Sequence, residues 1–263
     1  MLFRNRLVFN SSKQLISEER KPTSNSIVEN ILLFFLVTIV IILLSAFKNY
    51  KPTCKRFIFN TYAYVTFMIL GILLVHTTII NNKHLYDILH KNTIFSVTFV
   101  LSLFTLVYLL MIPSKKVLFK HGMLIIWLML FGAISWPVTE RALSLDKDML
   151  NQIILIFIVL VTTASSIVYL KPSIVSKSIG FPLMLALFTL IISQVLFILF
   201  GFNTKMYMVV TFFSIILFTL FISYDTKIAF EASKKCKEGN ANYINYALSL
   251  FLDFINLFSS LER

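Results

Sequence analysis

Asn245-Tyr-Ala-Leu-Ser-Leu-Phe-Leu-Asp253-Phe-Ile-Asn256-Leu-Phe258 is a membrane-length apolar segment with one carboxylic acid near its middle. An unpaired aspartate at the centre of a spanning helix costs about 2.5–3.5 kcal/mol on insertion scales, so its presence calls for a role. Asn245, Ser249 and Asn256 stand eight and four residues before Asp253 and three after it. At about 100° per residue these four side chains fall within an arc of roughly 80° on one helix face. Such a polar stripe is expected to face protein or a water-filled cavity rather than lipid.

The rest of the chain fits the same setting. Of its 263 residues 58% are hydrophobic and 14% charged, a balance no soluble domain of this size requires. Eight apolar segments run over 27–47, 57–80, 93–112, 123–138, 149–170, 181–202, 206–224 and 243–261. Most reach the roughly 20 residues that carry a helix across about 30 Å of hydrocarbon. The fourth ends in Trp136-Pro137 and is expected to continue, kinked, toward Leu143. The predicted fold class is an all-α polytopic membrane protein. Its domains are a polar tail (1–26), one additional N-terminal transmembrane helix (27–47) and a membrane domain (57–261).

Lysine and arginine orient the chain. Loops 48–56, 113–122, 171–180 and 227–240 hold 13 of them, and the alternate loops 81–92, 140–148 and 203–205 hold 5. The positive-inside rule puts the first set in the cytoplasm. The tail, with five basic residues of its own, then lies on the far side, unless the first segment does not span. The excess of 24 Lys and Arg over 12 Asp and Glu is explained by topology and lipid headgroups, and nucleic acid is not an expected partner. Cys54 and Cys236 fall in loops on the cytoplasmic side, where free thiols are expected.

No metalloprotease helix, nucleophile elbow, Walker loop or Cys/His metal spacing is present, and the chain is not expected to be an enzyme or to carry a resident cofactor. The four histidines are scattered: His84, His90 and His121 in loops and His76 near a helix end, read as packing residues. The acids are more informative, because only Asp253 and Asp225 are candidates for membrane depth. Asp225 closes the seventh run in Phe221-Ile-Ser-Tyr-Asp225-Thr-Lys. It is either an interfacial residue or, if the helix continues through Ala232, one about 10 Å inside the membrane, with Lys227 snorkelling to the headgroups. Tyr207, Thr211 and Ser214 share roughly its face. A short loop makes the two acid-bearing helices antiparallel neighbours, which puts both carboxylates at similar depth.

Ile222-Ser-Tyr-Asp225-Thr, the basic loop after it and Ala247-Leu-Ser-Leu-Phe-Leu-Asp253-Phe-Ile-Asn256-Leu-Phe258 resemble the transmembrane Bax-inhibitor-motif (lifeguard) family. The segment Gly122 to Glu140, including Gly132-Ala-Ile-Ser-Trp-Pro137, is similar to that family's third helix. The resemblance implies a seven-helix bundle with a central last helix, made here by segments two to eight, with the first segment an addition. It also implies that Asp225 and Asp253 form a pH-sensing pair controlling a calcium leak, with cell-death suppression as the cellular role. Calcium is then the transported or bound ion, held by Asp225 and Asp253, and Asn245, Ser249 and Asn256 are the supporting polar stripe. Bacterial members carry an acid in the second family helix and a basic latch near its cytoplasmic end. The matching helix here has no carboxylate, and Lys115 or Lys116 stands in for the latch.

The leading expectation is therefore a pH-sensitive calcium leak channel or calcium-homeostasis protein, with the lipid bilayer, calcium ions and membrane-protein partners in cell-death control around it. The alternative is a non-conducting membrane interaction protein acting through partner binding. A third class, intramembrane hydrolysis by an aspartyl pair, has less support. The expected location is an endomembrane such as the ER or Golgi, with the inner mitochondrial or a bacterial plasma membrane as alternatives.

Overall fold

A computed structural model describes residues 25–200 and 204–262. The N-terminal tail lies outside the described residues. The chain forms helices α1 (Asn25–Ala46), α2 (Phe57–Asn81), α3 (Lys83–Leu89), α4 (Asn92–Met111), α5 (Val117–Ser144), α6 (Lys147–Leu170), α7 (Gly180–Phe200), α8 (Thr204–Lys234) and α9 (Tyr243–Leu261). All but the short α3 are long and apolar enough to cross a membrane. The protein is an integral multi-pass membrane protein.

The eight expected spans are all present, with two boundaries moved. Helix α5 begins at Val117, six residues before the apolar run, and continues through Pro137 to Ser144. Helix α8 continues ten residues beyond Tyr224, to Lys234. Both extensions carry charged residues whose polar atoms find partners inside the protein, so the helix outlasts its hydropathy. The 81–92 segment, read as a loop, contains α3, whose start is capped by Asn82 accepting from the Leu85 N–H.

Helices α2 and α9 form the centre. Buried residues make up 56% of the α2 span and 50% of the α9 span, against 11–28% for the other six. Helix α9 packs on α8, α2 and α6, while α2 packs on α1, α5 and α9. Aromatic rings fill the joints: Phe251 meets Trp127 and Phe131 of α5 edge-on, and Phe157 of α6 meets Phe254 and Phe258.

Gly132 explains itself through α2. A Cβ built there would lie 2.7 Å from Val75 Cγ1 and 2.9 Å from Val75 Cβ, an atom fixed to the α2 backbone. The two helices approach closely because position 132 has no side chain. Gly132→Ala is expected to cost about 1–3 kcal/mol through overpacking, read as a lower thermal unfolding temperature in detergent.

One end of the bundle gathers the basic loops. A two-stranded hairpin follows α1, pairing Phe47–Lys48 with Lys51–Pro52. Its turn residues Asn49 and Tyr50 both have positive φ, 50° and 61°, as a type I′ turn requires. The hairpin lies against the α8–α9 loop, where the Gly239 N–H donates to Pro52 O at 2.9 Å and the Cys54 N–H to Glu238 Oε1 at 3.1 Å. Ser114 donates to Asn240 Oδ1 at 2.6 Å, which brings in the α4–α5 loop. Lys177 pairs with Glu231 at 2.6 Å, which brings in the α6–α7 segment. The four loops assigned to the cytoplasm by charge therefore share one end of the molecule.

The free thiols expected from the sequence are not found. Cys54 and Cys236 are disulfide-bonded, with Cα atoms 5.7 Å apart. They are 182 residues apart, and they meet because α9 packs along α2 and both loops precede the start of a central helix.

Candidate functional site

Asp225 stands nine residues before the end of α8, and Asp253 ten residues after the start of α9. At 1.5 Å per residue these are about 14 and 15 Å from the same end, so the antiparallel pair puts both acids at one depth. The two carboxyl groups are close enough to interact electrostatically, and Ser249 lies beside Asp225. Asp225 is half-buried and Asp253 buried.

The chemistry of the contact is constrained by one atom. Asp253 Oδ2 is buried and has no hydrogen-bond donor among the described residues. The nearby Asp225 carboxyl group can donate to Asp253 only if one of the two carries a proton. A buried acceptor without a donor costs about 1–3 kcal/mol, more if charged. A single proton held between the two acids would remove that cost and the repulsion together.

Other expected site residues divide. Asn245 is half-buried and donates through Nδ2 to Leu110 O at 2.9 Å, satisfying a carbonyl in the last turn of α4. It anchors helices and does not reach the acid pair. Asn256 is exposed and donates to Leu252 O of its own helix at 2.8 Å. Ser249, beside Asp225, is also exposed. The stripe expected to face protein is thus covered only at Asp253 and, in part, at Asn245. Helix α9 packs extensively on neither α4 nor α7.

The latch expectation also changes. Lys115 and Lys116 are exposed and form no ion pair among the described residues. The buried lysine at this end is Lys120, which donates to Ile112 O and to Asn242 Oδ1, both at 2.8 Å. It ties the end of α4 to the start of α9 through neutral acceptors. Lys227, expected to snorkel, is instead buried, donating to Val175 O and lying 3.9 Å from Glu231. Of the residues read on the face of Asp225, Ser214 is buried and Tyr207 exposed.

Histidines read as packing residues have defined partners. His76 is buried, with Nδ1 2.7 Å from Thr139 Oγ1 and Nε2 3.0 Å from Ser135 Oγ. His121, read as a loop residue, lies in α5, with Nε2 2.6 Å from the Tyr64 hydroxyl and Nδ1 2.7 Å from Val117 O.

A hydroxyl cluster beside the acids escaped the sequence reading. The Tyr62 hydroxyl of α2 lies 2.8 Å from Ser165 Oγ of α6 and 2.9 Å from Thr226 Oγ1 of α8. Thr226 follows Asp225 directly, and all three residues lie nearer the basic end than the acids do. They join α2, α6 and α8 between the depth of the acids and the basic end of the bundle. The only sequence signal was Thr226 in the Asp225 motif, since Tyr62 and Ser165 belong to distant helices. Tyr62→Phe removes both bonds and is expected to destabilise the protein by about 1 kcal/mol, measured by thermal unfolding. Ser165 and Thr226 can still donate to carbonyls of their own helices.

Two acids at one depth on the last two helices, and a last helix among the most buried of the spans, accord with the resemblance. The profile of the family described as "Inhibitor of apoptosis-promoting Bax1" matches residues 54–263, which takes in α2 to α9 and leaves α1 outside. No curated protein matches the chain as a relative. With the match covering most of its length, this chain belongs to the Bax-inhibitor family.

Proposed function

We propose that the protein is a pH-responsive leak pathway for calcium, controlled by Asp225 and Asp253, with cell-death suppression as its cellular consequence. The observation that carries this reading is the proximity of the two carboxyl groups at membrane depth, with Asp253 Oδ2 lacking a donor among the described residues. Two unit charges about 4 Å apart repel by roughly 4 kcal/mol at an effective permittivity near 20. That is enough to favour one shared proton over two charges, so the pair titrates as a unit. Loss of the proton leaves charge that either drives α8 from α9 or draws in a cation.

Calcium fits as cargo rather than as a resident ion. It takes six to eight oxygen ligands, and the site supplies two carboxylates and the Ser249 hydroxyl. Water would complete the shell of a passing ion on the exposed side of α9. The Tyr62–Ser165–Thr226 cluster is the next polar step toward the cytoplasm. Purified protein in proteoliposomes should leak calcium at a rate that changes with pH in one step. A flux equal to that of empty vesicles, or one indifferent to pH, would refute the reading.

One observation favours a second reading, a non-conducting protein that binds membrane partners. Ser249 and Asn256 are exposed on α9 at membrane depth, where polar side chains join helices by bonds worth about 0.6–2 kcal/mol. On that reading Asn256→Leu abolishes co-purification of partner helices, while Asp253→Asn leaves it unchanged.

A further inference from the structure

Cys54 and Cys236 stand in an unusual chemical setting for a bonded pair. Both are half-buried and lie on the basic end of the bundle, which the distribution of Lys and Arg assigns to the cytoplasm. In that compartment thiols are kept reduced, and the disulfides that do form are mostly transient and redox-sensing. A reversible bond fits that setting better than a permanent structural one.

The surroundings make the thiols reactive. Lys51, Lys55 and Arg56 lie within three residues of Cys54, and Lys234, Lys235 and Lys237 within two of Cys236. All six are exposed, and Glu238 is the sole acid within three residues of either cysteine. Neighbouring cations favour the thiolate, which is the nucleophile in exchange.

Hydrogen bonds besides the disulfide also hold the two loops together. The Gly239 N–H donates to Pro52 O, Glu238 accepts from the Cys54 N–H and from Thr53 Oγ1, and Asn240 accepts from Ser114. Gly239 has φ +78°, a conformation that other side chains strain to adopt, and this lets the loop turn onto the hairpin. The reduced thiols are thus held at high effective concentration, which favours ring closure over a lasting adduct with a small thiol.

We propose that Cys54 and Cys236 form a reversible redox modification site that exchanges with a low-molecular-weight disulfide of the glutathione class. One cysteine thiolate attacks a sulfur of the small disulfide, forming a mixed disulfide and releasing one small thiol. The second cysteine thiolate then attacks the protein sulfur of that mixed disulfide and releases the second small thiol. In total, two protein thiols are oxidised to one disulfide and one small disulfide is reduced to two thiols. The bond clamps the α8–α9 loop, which alone connects the helices carrying Asp225 and Asp253, onto the hairpin before α2.

The site is read out without any flux measurement. Purified full-length protein is equilibrated with mixtures of reduced and oxidised glutathione, quenched with an alkylating agent and weighed by mass spectrometry. The bridged fraction should rise with oxidised glutathione and fall with the square of the reduced form, with loss of two alkylated sites together. Cys54→Ser and Cys236→Ser should each stop at a single glutathione adduct. Trypsin should cut after Lys235 and Lys237 more slowly in bridged than in reduced wild-type protein. A pair that stays fully alkylated in excess oxidised glutathione, or fully bridged in excess reduced glutathione, overturns the proposal. So does a bond formed between two chains, or equal cleavage of the two forms.

Discussion

Asp253→Asn protein in proteoliposomes is expected to leak calcium at one rate across the pH range over which the wild-type rate changes. The constant rate should match the acid limb of the wild type. Asparagine at 253 has nearly the shape of aspartate, and its amide N–H₂ supplies the donor that the shared proton otherwise provides. Asp225 would then accept permanently from residue 253, as it does when the pair holds its proton. The acid-limb rate follows whichever state conducts, because the substitution mimics a protonation state rather than an open or closed one. Asp225→Asn is expected to act in the same way from the other side. A variant that keeps the wild-type pH step would show that the step belongs to other groups.

The second large effect is on stability. Trp127 is fully buried, stacks on Phe131 at 5.0 Å and meets Phe251 edge-on at 5.8 Å. Trp127→Ala is expected to cost about 3–5 kcal/mol, the range for deleting a buried aromatic side chain. In a bilayer the loss comes mainly from missing packing contacts, since lipid is as apolar as the core. The cavity would open against Phe251, two residues from Asp253, so α9 should loosen where the acid pair sits. Trp127→Phe should cost clearly less, because a ring remains to fill most of the volume. Thermal unfolding in detergent separates the three proteins.

The spans were legible because a bilayer demands long apolar helices, and that demand is written in hydropathy. Helix α9 begins and ends where the apolar run does. The two displaced boundaries occur where hydropathy and helix part company. In α8, Lys227 and Glu231 are satisfied by Val175 O and Lys177, contacts that no local pattern announces. In α5, Lys120 and His121 find Ile112, Asn242 and Tyr64 across three elements. The acid pair was legible for a different reason: carboxylates at membrane depth are rare enough that two on adjacent antiparallel helices point at each other. The stripe was only half legible, since helical spacing says which residues share a face and not what covers it. Tyr62 with Ser165 and Thr226, and Cys54 with Cys236, were hidden by sequence distance alone.

On the proposed function, Asp225 and Asp253 hold one proton between them. Infrared difference spectroscopy of the reconstituted protein, titrated in pH, reads the carbonyl stretch of a protonated carboxyl group directly. One such band should disappear from the wild type in a single step coincident with the flux change, and both Asp225→Asn and Asp253→Asn should lose that step. A step that survives unchanged in either variant, or two bands that vanish independently in the wild type, would mean that the acids do not share a proton.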